Sequence, residues 1–81
     1  MNKKKRWIDE SIDISDFEDR LSSNVRELME WAEEAEQKQE EFTFYEACDN
    51  VEIQAKILVE EGIITEEEWN RLCEKYYPVV D

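Results

Sequence analysis

Three times in this chain a Ser or Thr stands three positions ahead of a Glu, at Ser15 and Glu18, Thr43 and Glu46, and Thr65 and Glu68. At that spacing the hydroxyl accepts from an unpaired amide of a new helix, and the Glu reaches back to the amide of the cap residue. A stripe of apolar residues at helical spacing follows each pair. One Gly (Gly62) and one Pro (Pro78) supply too little turn chemistry for a β fold. The expectation is an all-α protein, a small three-helix bundle. It comprises one long N-terminal helix, a C-terminal helical hairpin and a short irregular N-terminal arm.

The first stripe runs Phe17, Leu21, Val25, Leu28, Ala32, Ala35 and Phe42, with Gln39 in its one polar slot. Its alternating steps of four and three predict a heptad-like helix of about 25 residues. Ser22-Ser23-Asn24 is its weak point, where Asn24 and Glu27 would cap a fresh helix. The unbroken stripe favours one helix. Phe44, Ala47, Cys48, Val51, Ala55, Leu58 and Val59 mark a second helix that stops at Gly62, where a left-handed residue is expected. Ile63-Ile64 makes an apolar linker that has to pack, and Trp69, Leu72, Cys73 and Tyr76 face inward from a third helix ended by Pro78. Residues 1–14 form a charged arm in which Trp7, Ile8 and Ile12 pack back on the body. Residues 15–77 are the single domain and 78–81 a tail, with no internal repeat. The segment 58–69, from Leu58 through Gly62 and Thr65 to Trp69, resembles the helix–turn–helix phrase of short C-terminal helical hairpin domains of bacterial proteins. That resemblance implies a hairpin and no function.

Charge narrows the partner. The net charge is −13, and four of the ten basic residues lie in the first six positions, leaving 23 acids against six bases over residues 7–81. Such a body repels nucleic acid and anionic membrane surfaces and attracts basic partners. No run approaches the ~20 apolar residues of a membrane span. Lys3–Arg6 is similar to the start of a signal peptide, but Trp7-Ile8-Asp9-Glu10 follows where an apolar segment would be needed, so a cytoplasmic location is expected. In 81 residues a single core contributes only about 3–5 kcal/mol, which makes docking or self-association a reasonable expectation.

Catalytic chemistry finds little to work with. There is no His, hence no common general base or imidazole ligand. Cys48 and Cys73 cannot complete a zinc site and have no basic neighbour on their own faces to activate a thiolate, so buried reduced thiols are expected. One Gly rules out a phosphate-cradling loop. The chain is expected to be no enzyme, with no metal and no cofactor. Glu66-Glu67-Glu68 needs no cation, since carboxylates suit a helix start.

The acids form a pattern. On the first helix Glu27, Glu30, Glu34 and Glu41 fall opposite the apolar seam, Asp16 and Asp19 extend the row, and Glu33, Glu36 and Glu40 flank it. Residues 16–41 hold ten acids against three bases on a rod of about 39 Å, under half the charge density of B-form DNA at one phosphate per ~1.7 Å. A second acidic row, from Glu60, Glu61, Glu66 and Glu67 or from another protomer, would be needed to imitate a duplex. The plain alternative is an outer face kept solvated by Glu, but ordinary helix surfaces mix signs to gain i,i+4 pairs and this one mostly does not. Most aromatics are expected in the core, with Trp31 and Tyr77 as rim anchors. The leading expectation is a non-enzymatic regulator, an inhibitor docking on the basic surface of a nucleic-acid-handling protein. In size, charge and lack of catalytic residues it is similar to DNA-mimicking anti-restriction and anti-CRISPR proteins of phages and mobile elements. The alternative is an assembly or adaptor protein, a homodimer through the seam Leu21–Phe42, whose acidity serves solubility.

Overall fold

The computed structural model describes residues 6–76. Lys3, Lys4, Lys5, Tyr77 and the tail 78–81 lie outside them. Three helices are present, α1 (Ser23–Gln37), α2 (Glu41–Glu60) and α3 (Glu66–Lys75), with one 3-10 turn at Glu18–Arg20 and no strand among the described residues. The all-α three-helix bundle is therefore as the sequence predicts. The helix boundaries differ from expectation at two of the three starts.

The chain breaks at Ser22, and the expected 25-residue helix is not formed. Ser22 is extended and its side chain accepts from the Val25 amide at 3.3 Å, so Ser22, not Asn24, caps α1. Ser15 caps nothing. Its own amide donates to Asp13 Oδ1 at 2.9 Å, while Phe17 closes a turn onto Ile14. Short polar side chains that satisfy the backbone locally compete with helix, and here they win.

The second difference lies at the α1–α2 turn. Gln39 takes a left-handed conformation (φ 57), its amide bonds Glu36 O, and the Glu40 amide bonds Ala35 O at 2.9 Å. This is the closing pattern that satisfies the last carbonyls of a helix. The chain thus reverses before Phe42, which falls in the first turn of α2 and is 90% exposed, outside the seam assigned to it. Thr43 and Glu46 sit within α2 and not at its start. The third capping box forms as read. Thr65 Oγ1 accepts from the Glu68 amide at 3.1 Å and Glu68 Oε1 from the Thr65 amide at 2.8 Å. Gly62 (φ 75) ends α2 with the same closing pattern, Ile63 N–H to Leu58 O at 2.8 Å.

α2 is the central element. α1 packs closely on it and so does α3, while the backbones of α1 and α3 stand further apart. The whole segment ahead of α1, residues 6–22, acts as one extended arm that runs antiparallel to α3. The Asp9 amide bonds Lys75 O at 2.9 Å, Arg71 bonds Asp13 O and pairs with Asp16 at 2.7 Å, and Arg20 bonds Ile63 O and pairs with Glu68 at 2.6 Å. Trp7, Ile8, Ile14 and Phe17 enter the core from this arm and meet Val25, Phe44, Val51 and Leu72. Trp7 and Ile8 pack back as expected, and Ile12 does so partly. The arm is a fourth wall of the bundle.

Candidate partner-binding surface

The acidic residues of the two expected rows are exposed, with Glu36 on the flank the exception, but they do not share one rod. Glu27, Glu30 and Glu34 lie on α1, opposite its buried face of Val25, Met29 and Ala32. At 1.5 Å per residue α1 is about 22 Å long, little more than half the rod expected. Asp16 and Asp19 belong to the arm, and Asp16 is turned onto Arg71. That hydrogen bond, with the guanidinium charge behind it, holds the Asp16 carboxyl below its ordinary range. Glu41 lies beyond the reversal, in the first turn of α2. Glu60 and Glu61 end α2, and Glu66 and Glu67 begin α3, so these four gather at the α2–α3 turn. Glu68, inside the same turn of helix, has its pKa lowered by the Thr65 amide and then by Arg20.

Few of these carboxylates are neutralised. Among the described residues five acids have a basic side chain at ion-pair distance: Glu10, Asp16, Glu34, Glu36 and Glu68. Several of the acids, paired or not, sit where a helix does not favour them. The C-terminal end of a helix carries partial negative charge, yet Glu34 lies in the last turn of α1, and Glu60 and Glu61 close α2, with no basic residue in either last turn. Lys38 meets Glu34 at 3.0 Å. Glu60 and Glu61 have no such partner among the described residues.

Glu36 departs from the reading. The helical spacing of the acids puts it on the flank of their row, and it is instead buried, 2% exposed. Its Oε2 accepts from the amides of Trp7 (2.5 Å) and Ile8 (2.8 Å), and its Oε1 pairs with Arg6 at 3.1 Å. One carboxylate therefore clasps the arm to the end of α1. The signal was present in the spacing: Val25, Met29, Ala32 and Glu36 step by four, three and four, which puts Glu36 on the buried face.

Trp31 lies at the edge of α1 and is 36% exposed. Tyr77 falls outside the described residues. Exposed aliphatic groups outside the second apolar stripe gather on α2, where Ile53 is 59% exposed and Ile57 41%. Beside them, between α2 and α3, lie two hollows. One of about 310 Å³ is lined by Cys48, Asp49, Val51, Glu52, Trp69, Cys73 and Tyr76. The other, about 430 Å³, is lined by Glu52, Ile53, Lys56, Ile57, Glu60 and Trp69. Both thiols are free. Burial pushes Cys48 up to about 12 and Cys73 up to about 11, and nearby carboxylates add to each shift. Neither is poised as a nucleophile at neutral pH. Among the described residues no three thiol or carboxylate groups converge as metal ligands, and no helix is long and apolar enough to cross a membrane. Comparison with known proteins finds no family, no curated protein and no solved structure that matches this chain.

Proposed function

We propose that this chain is a non-enzymatic regulator that presents carboxylates to the basic surface of a nucleic-acid-handling protein, in the manner of a DNA-mimicking inhibitor. The observation that carries this reading is the placement of acids against local helix electrostatics. Glu60 and Glu61 at the end of α2 lack a basic partner among the described residues, and Glu27 and Glu30 on α1 lack one too. Solubility alone does not require carboxylates at the negative end of a helix. A cationic partner gives them a role.

The alternative, an assembly or adaptor protein that dimerises through the seam Leu21–Phe42, has less to support it, since of that seam only Leu28, half-buried, and Phe42 reach the surface. Leu21, Val25, Ala32 and Ala35 are buried inside the monomer. The test is capture of partners from the native host at low and at high salt, with DNA or heparin as competitor. A partner that binds nucleic acid, is lost at high salt and is displaced by either polyanion supports the reading. A partner retained unchanged at high salt and indifferent to heparin refutes it.

A further inference from the structure

The two hollows between α2 and α3 share Glu52 and Trp69, and the Trp69 indole, whose Nε1–H donates to Glu52 O at 3.0 Å, separates them into two adjoining depressions of one groove along α2. Its walls are apolar. Val51 is fully buried at the base, and Ile53 and Ile57, one helical turn apart, stand on one side with Trp69 opposite. Its rim is acidic. Asp49, Glu52 and Glu60 have no basic side chain at ion-pair distance among the described residues, and Lys56, which also lines the groove, lies over the Trp69 ring at 4.3 Å.

We infer that this groove receives a basic amphipathic helix of the partner protein, its apolar stripe on Ile53, Ile57 and Trp69 and its Lys or Arg side chains on Asp49, Glu52 and Glu60. The α2 residues that line the two depressions run from Cys48 to Glu60, about 18 Å along the helix and a little over three turns of an incoming helix laid across them. Charge selects the occupant. A second copy of this chain carries the same net −13 and would bring carboxylate against carboxylate, whereas a basic helix neutralises the rim while covering the isoleucines. The inference rests on the proposed function and narrows it: the acids of α1 provide attraction at a distance, and the groove provides the contact.

The test uses the full chain, isotopically labelled, with a synthetic helical peptide of Leu and Lys about 14 residues long. A matching peptide of Leu and Glu is the control. The expected result at physiological salt is that amide shifts centre on Val51, Ile53, Ile57 and Trp69. Affinity falls at least about tenfold in the Ile53→Ser, Ile57→Ser double variant, whose exposed sites leave the fold intact by circular dichroism. Shifts centred on Glu27, Glu30 and Glu34 with an unaltered double variant overturn the groove and leave the acidic reading standing. No binding of the Lys peptide likewise overturns it. Equal binding of the Glu peptide overturns both. A dimer in sedimentation that the double variant abolishes assigns the groove to a second copy and overturns the proposed occupant.

Discussion

Replacing Glu36 by Ala removes the acceptor for two amides at once. Trp7 and Ile8 are 8% and 3% exposed, and their N–H groups both end on Glu36 Oε2, so water cannot take its place while the arm stays closed. Each orphaned buried donor costs about 1–3 kcal/mol, so the two together cost about 2–6 kcal/mol. The arm carries Trp7 onto Phe44, ring centroids 4.9 Å apart, so its loosening also uncovers core. Glu36→Ala is expected to lose about 2–6 kcal/mol, which in a domain this small is a fall in Tm of more than about 8 °C. Glu36→Gln is the informative companion. A single amide oxygen placed at Oε2 keeps both bonds, and only the charge and the half-exposed Arg6 contact are lost, so about 1 kcal/mol is expected. Thermal denaturation ranks the two variants. Hydrogen exchange then locates the change, with Trp7 and Ile8 amides losing protection in Glu36→Ala while Val51 and Ala55 in α2 keep theirs. A Glu36→Ala protein within about 1 kcal/mol of the parent, or with Trp7 and Ile8 still protected, would refute the clasp.

Other perturbations test the remaining joints. Thr65→Ala removes the capping hydroxyl of α3 and is expected to cost about 1 kcal/mol by chemical denaturation, with Thr65→Ser restoring most of it. Gly62→Ala meets nothing within 4 Å, so its cost of about 1 kcal/mol comes from the left-handed backbone alone, and Gly62→Asn is expected to cost less. Cys48 and Cys73 are raised to about 12 and about 11 in the folded chain from about 8.5 unfolded. Their stabilising share is therefore complete below about pH 8.5 and is lost as pH climbs from there. Tm measured from pH 7 to 11 is expected to fall more steeply in the parent than in the Cys48→Ala, Cys73→Ala double variant. Equal slopes would contradict that assignment.

What the sequence disclosed, and what it concealed, follows physical lines. Thr65, Glu68 and Gly62 act within a few residues of one another, and their roles were legible because local bonding decides them. Ser15 and Glu18 have the same spacing and form no box, because Asp13 captures the Ser15 amide and Phe17 is drawn into the core by the arm's docking on α3. Nothing local announces that docking. Gln39 has the spacing of a polar slot in a stripe, but it takes the left-handed position that a glycine more often fills. That one residue moved Phe42 and Glu41 onto α2 and shortened the acidic row. Glu36 was hidden by its chemistry: in so acidic a chain another Glu reads as surface, and only the spacing from Met29 and Ala32 marks it as inward. The isoleucines Ile53 and Ile57 escaped notice because the second stripe was complete without them.

The functional account is tested most directly by the salt dependence of binding to the captured partner, measured for the parent and for the Glu27→Lys, Glu30→Lys, Glu34→Lys variant. The account predicts a parent whose affinity drops at least about tenfold between 0.05 and 0.2 M salt, and a reversed variant that no longer binds at the lower concentration. Equal affinity of the two proteins, flat against salt, would contradict it.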